Sequence, residues 1–151
     1  MRYFKEVDNK FIINKNVKIK LPTRATKKSC AYDIYTPIDV ECLPHKVTKV
    51  QTNIKAIFPS DEVLMLFVRS SVGIKRNIML ANGTGIIDSD FANNPDNEGN
   101  ITLALYNYGD VTQVFYSGDR IVQGVFLKYL TTDYDQPVNQ ERVGGIGSSG
   151  V

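Results

Sequence analysis

Hydrophobic residues recur at every second position in several short runs, and that period decides the fold class. Val17, Ile19 and Leu21 alternate with lysines, Val50, Thr52, Ile54, Ala56 and Phe58 with more polar neighbours, and Ile101, Leu103 and Leu105 repeat the pattern. Successive side chains of a strand point to opposite faces, so each run predicts a strand with one buried face. The apolar residues 63–68 predict a strand buried on both sides, and 111–115 and 121–130 predict two more, joined by Tyr116-Ser117-Gly118-Asp119. Further turns are expected at Leu21-Pro22, Thr36-Pro37, Pro59-Ser60-Asp61-Glu62 and Asn107-Tyr108-Gly109-Asp110. One short helix is expected after Arg69-Ser70-Ser71, with serine as its N-cap and Lys75 near its end. The expected architecture is all-β, a jelly-roll-like barrel or sandwich with one short helix and a flexible C-terminal arm.

A chain of 151 residues with 42% hydrophobic content can bury one core without disulfides or metal. Residues 1–138 are read as the β domain and 139–151 as the arm. The net charge is +2, and the basic stretch 15–28 is interrupted by Val17, Ile19, Leu21 and Pro22, which suits a solvated strand face better than a nucleic-acid groove. Cys30 and Cys42 are neither a C-x-x-C pair nor accompanied by histidines, so no zinc site is expected, and reduced thiols point to a cytoplasmic location. His45, beside Pro44, reads as a surface turn residue. The N-terminus carries no apolar signal core and the longest apolar run is too short to span a bilayer, so no membrane partner is expected.

The polar residues gather in five segments. Four of them, Ala31-Tyr32-Asp33-Ile34, Arg69-Ser70-Ser71, Asn82-Gly83-Thr84-Gly85-Ile86-Ile87-Asp88-Ser89-Asp90-Phe91 and Gly118-Asp119-Arg120-Ile121-Val122-Gln123, fall at or beside expected strand ends. Singly, each has a plain reading as a strand end, a helix cap, a hairpin or a turn. The fifth is the tail Arg142-Val-Gly-Gly-Ile-Gly-Ser-Ser-Gly-Val151. Consecutive glycines let backbone N–H groups form anion-binding nests, serines add donors and arginine supplies a planar fork for phosphate oxygens, although loose chain ends share this composition.

In this order the five segments resemble the motifs of the homotrimeric dUTP pyrophosphatases (dUTPases), over about residues 29–150, with the Gram-positive bacterial and phage-like members as the nearest subgroup. The resemblance implies hydrolysis of dUTP to dUMP and pyrophosphate, with Mg²⁺ as cofactor, by water attacking the α-phosphorus. Asp88 takes the place of the carboxylate that orients and deprotonates that water. Asp33 reaches Mg²⁺ through water while the substrate phosphates chelate the ion. Arg69, Ser70 and Ser71 match the phosphate-binding segment, and Gln123 the glutamine that binds phosphate and helps place the water. Asp119 and Arg120 hold motifs and subunits together, and Asp90 is read as a hydrogen-bonding residue rather than a second base. Arg142 would reach the γ-phosphate, with Gly147, Ser148 and Ser149 wrapping the triphosphate.

Uracil selection is implied for a β-hairpin that begins around Ile86, Ile87 and Asp88 and returns near Thr102, with Asn82 also contacting substrate. Phe91 takes the place of the ring beneath the sugar, usually tyrosine, that rejects ribose. Three departures stand out. The insert Ala92-Asn-Asn-Pro-Asp-Asn-Glu-Gly99 lengthens the hairpin and is an exposed candidate contact for a protein partner, Ala31 replaces a usual glycine, and Ile146 replaces the phenylalanine that stacks on uracil, at a cost on the order of 1 kcal/mol. The implied assembly is a homotrimer with sites shared between subunits. Two other readings stay open: a dCTP deaminase of the same fold, which works through a glutamate in the third motif, and a regulatory protein-binding module. A capsid-like jelly-roll subunit leaves five phosphate-oriented motifs unexplained.

Overall fold

The computed structural model describes residues 1–138 and 141–148. Its strands are β1 (Tyr3–Glu6), β2 (Tyr32–Tyr35), β3 (Val40–Cys42), β4 (Val47–Gln51), β5 (Ile54–Ile57), β6 (Glu62–Val68), β7 (Ile78–Leu80), β8 (Gly85–Asp88), β9 (Thr102–Asn107), β10 (Gln113–Phe115) and β11 (Arg120–Lys128). Helix α1 (Ser70–Arg76) and 3-10 turns at Asn9–Phe11 and Ser89–Phe91 complete the elements among the described residues. Four strands form an antiparallel sheet in the order β2-β11-β6-β8, three form another in the order β4-β9-β7, and β1-β5 and β10-β3 are separate antiparallel pairs. Ile34, Leu64, Leu66 and Val122 from the first sheet and Val50, Ile78, Leu80, Leu103 and Leu105 from the second belong to one buried apolar cluster. The all-β, jelly-roll-like expectation is therefore met.

The period-two runs mark sidedness more faithfully than strand boundaries. Residues 50–58, expected as one strand, are two: β4 ends at Gln51, Asn53 adopts φ 60°, and β5 begins at Ile54 in a different sheet. Asparagine tolerates that left-handed conformation better than most residues. Its side chain also ties down the break, with Nδ2 donating to the Ile13 carbonyl at 2.8 Å and Oδ1 accepting from the Ile13 amide at 3.0 Å. Val50, Thr52, Ile54, Ala56 and Phe58 all stay buried across it.

Residues 17–21 form no strand; the nearest pairing is an isolated bridge between Thr23 and Asp33. Val17 and Ile19 are half-buried and the intervening lysines exposed, so the alternation belongs to an extended segment without a partner strand. Strand β6 is buried on one face only: Leu64 and Leu66 are in the core, whereas Phe67 is 36% exposed. The N-cap of α1 is Arg69 rather than a serine and makes no side-chain cap bond, and Asn77 at φ 53° closes the other end. His45 sits in a turn at φ 56°, exposed, with Nε2 2.9 Å from Asp110 Oδ1. Both cysteines are free, and burial pushes the Cys42 thiol up. Among the described residues no helix is long and apolar enough to cross a membrane.

Candidate active site

A cavity of about 560 Å³ opens between β8 and the face formed by β4 and β9. Gly85 is opposite Leu66 in the β6-β8 ladder, where a Cβ would lie 2.9 Å from Leu66 Cβ, so only glycine lets β8 sit this close to β6. Strand β8 ends its sheet, which leaves one backbone edge without a ladder partner among the described residues. Asn82 enters the cavity from the tight turn between β7 and β8, closed by Gly83 at φ 73° donating to the Leu80 carbonyl. Ile86, Ile87, Asp88 and the buried Phe91 continue the wall; Thr102 and Ala104 of β9 and Lys49 of β4 face them. The small side chains of Ala81 and Ala104 keep the interior open.

Asp88 stands at the end of β8, its side chain 56% exposed. Its partner is Arg142 of the same chain. The guanidinium donates from Nη2 to Asp88 Oδ2 and from Nε to Asp90 Oδ1, both at 2.9 Å, and lies 5.6 Å from the centroid of the Phe91 ring. Asp90 therefore serves as a hydrogen-bonding residue here. Ile146 and Gly147 also line the cavity, so the arm contributes part of its wall together with Arg142.

A second polar group lies across the same sheet. Asp33 of β2 is paired in register with Gln123 of β11, which is in turn opposite Phe67 of β6. The Asp33 carboxylate is buried and forms ion pairs with two arginines: it accepts a hydrogen bond from Arg120 Nη1 at 3.2 Å, and Arg69 Nε lies 3.0 Å from its other oxygen. Gln123 Nε2 lies 3.5 Å from the Val68 carbonyl, while Ser70 and Ser71 are exposed in the first turn of α1. Among the described residues no three His, Cys, Asp or Glu side chains gather as a metal-ligand set. An ionised carboxylate already engaged by two guanidinium groups keeps free lone pairs, and it suits a hard cation held through water better than direct ligation.

Against this geometry the comparisons are specific. The dUTPase family model matches residues 17–150. The chain belongs to the dUTPase family. It is 40% identical over 138 residues to the deoxyuridine 5'-triphosphate nucleotidohydrolase of Lactococcus lactis, covering 91% of this chain and 92% of that one. It is 34% identical over 148 residues to the enzyme of the same name from Desulfitobacterium hafniense, covering 92% and 93%. Among solved structures, the dUTPase of Streptococcus mutans superposes with TM-score 0.76 at 37% identity, covering 87% of this chain and 98% of that one. The dUTPase of the Staphylococcus aureus phage phi11, at 18% identity and TM-score 0.72, covers 93% of this chain and 99% of that one and shares the fold; a structural Mg(II) ion is coordinated in that protein.

Within the family's five motifs, the single chain brings together only some of the expected residues. Asn82, Ile86, Ile87, Asp88, Phe91, Thr102, Arg142, Ile146 and Gly147 share the cavity, whereas Asp33, Arg69, Ser70, Ser71 and Gln123 do not line it. The Ser148 hydroxyl is buried without a hydrogen-bond partner among the described residues, and Ser149 lies outside them. Arg142 rests on Asp88 and Asp90 rather than reaching outward. The expected hairpin is also different: β8 pairs with β6, and β9 with β4 and β7, so the segments at Ile86 and Thr102 face each other as cavity walls in separate sheets. Lys49 was not anticipated, because an exposed lysine in an alternating strand carries no chemical signature.

The insert 92–99 is more internal than expected. Glu98 and Asn94 are buried, and Glu98 pairs with the buried Lys55 and also accepts from the Asp8 amide. Lys55 Nζ also donates to Asn93 Oδ1 at 2.7 Å. Burial alone would raise the Glu98 carboxyl, but the Lys55 hydrogen bond and the Asp8 amide hold it below the ordinary glutamate range. Only Asn93, Pro95 and Asp96 of the insert are exposed, which leaves a partner little more than a loop tip.

Proposed function

We propose that the chain hydrolyses dUTP to dUMP and pyrophosphate, in the cytoplasm, as a homotrimer with shared sites. The observation that carries this reading is the exposed Asp88 at the end of an edge strand whose free backbone walls a nucleoside-sized cavity. An unpaired strand edge offers fixed N–H donors and C=O acceptors, which is what reading the pairing edge of uracil requires. Cytosine presents the reversed donor pattern and leaves such groups unpaired, and a close-fitting wall has no space for the methyl group of thymine. Phe91, buried against the Arg142 guanidinium, supplies the apolar face beneath the sugar and crowds a ribose 2′-hydroxyl.

The Asp88 carboxylate accepts a hydrogen bond from the attacking water, orients it in line with the α-phosphorus and takes its proton. Arg142 leaves Asp88 for the γ-phosphate as the arm, residues 139–151, closes with Gly147, Ser148 and Ser149 around the triphosphate. Ile146 covers the base without stacking on it. Arg69, Ser70, Ser71 and Gln123 hold phosphate oxygens, and Arg120 keeps Asp33 in place between β2 and β11. Asp33 would reach Mg²⁺ through water while the substrate phosphates hold the ion, which would supply charge neutralisation for the triphosphate. Support for shared sites comes from the separation of the two groups: Asp33, Arg69 and Gln123 do not line their own chain's cavity, yet phosphates at Asp88 need them.

Pyrophosphate release from dUTP, dCTP, dTTP and UTP in the presence of Mg²⁺ tests the reading. Turnover of dUTP at least about 10³-fold faster than the others is expected, from groups left unpaired by cytosine and from steric exclusion of the thymine methyl and the ribose 2′-hydroxyl. Ammonia release from dCTP, or equal turnover of UTP, contradicts it.

A further inference from the structure

The arm does not only touch the catalytic carboxylate. Gly144 and Gly145 are buried, and what buries them is the insert of their own chain. The Gly145 amide donates to Asp96 Oδ2 at 2.9 Å, across 49 positions of sequence. A Cβ at Gly144 would lie 2.4 Å from the same oxygen, and one at Gly145 would lie 3.1 Å from Asn97 Nδ2. A side chain at Gly144 would therefore have to push the Asp96 carboxylate away, and one at Gly145 would press on Asn97.

The platform beneath is built independently of the arm. Asn94 Oδ1 accepts from the Asp96 and Asn97 amides at 3.0 and 3.1 Å, its Nδ2 donates to the Phe91 carbonyl and to Asn97 Oδ1, and Asn97 Oδ1 accepts from Gly99. Gly99, at φ 83° with Ala92 Cα 2.7 Å from its ideal Cβ, closes the loop, and Lys55 anchors it through Asn93 and Glu98. Every bond of this framework leaves the Asp96 carboxylate free, and the hydrogen bond it makes is to the arm. A charged acceptor on a backbone amide is among the stronger single contacts available to a glycine segment.

We propose that Asp96 is a positioning residue for the reaction: it holds the Gly144-Gly145 segment against the insert so that Ile146 and Gly147 arrive over the cavity. This rests on the dUTP-hydrolysing reading above and assigns the insert to arm placement rather than to a partner protein. Asp96 acts through the arm and touches no reacting atom, so its loss weakens substrate capture and spares the chemical step.

The test compares Asp96→Ala and Asp96→Asn with the unaltered full-length protein. Asp96→Ala is expected to raise the KM for dUTP about tenfold with kcat within about twofold, the loss of one charge-assisted hydrogen bond, and to leave the melting temperature unchanged. Asp96→Asn keeps an acceptor oxygen and should recover most of the KM. In the substrate-free protein, tryptic cleavage after Arg142 should accelerate about tenfold in Asp96→Ala by the same contact energy. Gly144→Ala should also raise KM, and combining it with Asp96→Ala should be no worse than either change alone, because both break one contact. Unchanged KM and cleavage in Asp96→Ala, or full additivity in the double variant, overturns the proposal. If the unaltered protein releases no pyrophosphate from dUTP, the functional reading fails, and the cleavage rates still decide whether Asp96 holds the arm.

Discussion

An Asp88→Asn variant is expected to lose about 10³-fold in kcat for dUTP while KM stays within a few-fold, because positioned general bases contribute on that scale and the amide cannot accept the proton of the water. The fold should not suffer. Asp88 is held at the end of β8 by the backbone pairing with Val63, its side chain is largely exposed, and Arg142 keeps Asp90 as a partner at 2.9 Å. Steady-state pyrophosphate release together with a thermal melt separates the outcomes. A variant that folds normally and keeps more than about a tenth of wild-type kcat would place the base elsewhere, since loss of a true base leaves far less.

The largest expected change in stability is at Lys55. Lys55→Met leaves Glu98 buried with its main cation gone, and breaking a buried pair from one side costs about 3–5 kcal/mol. For a domain of this size that lowers the melting temperature by roughly 10 °C. The contact matters to function because Lys55 fastens the insert that follows Phe91 and carries Asp96. A double variant, Lys55→Met with Glu98→Leu, removes both charges and should recover much of the loss. The pH dependence has a defined sign. The Glu98 carboxyl is depressed in the folded state, so its contribution is fully present above the unfolded value of about 4.3 and is lost as pH falls through the folded value below it. Denaturant melts of the wild type between pH 7 and pH 3 should show that decline, and an unchanged melt for Lys55→Met would show that the pair does not hold the insert.

Sidedness was legible in the sequence because burial follows a residue's side of the backbone, whichever strand it pairs with. Val50, Thr52, Ile54, Ala56 and Phe58 all stay buried across a break between sheets, whereas Asn53 and Lys55, which look like the solvated positions of the run, are buried as well, because the break at Asn53 turns its side chain onto Ile13 and Lys55 pairs with Glu98. Asp88 and Phe91 were legible only through the resemblance of five ordered segments to a family's motifs, since their own segment read singly is a plain hairpin. Sheet membership was not: Ile86 and Thr102 are near in sequence, which suggests a hairpin, but β6 wins the ladder with β8 and β9 goes to β4 and β7. Contacts between distant segments were least legible. Nothing about Asp96 announces Gly145, and nothing about Asp33 announces that two arginines, Arg69 and Arg120, converge on it.

The central claim is that a water oriented by Asp88 attacks the α-phosphorus of dUTP. The direct measurement is hydrolysis in ¹⁸O-labelled water followed by mass spectrometry of both products. The account predicts one labelled oxygen in dUMP and none in pyrophosphate, whereas label in pyrophosphate would place the attack at the β-phosphorus and contradict the role given to Asp88.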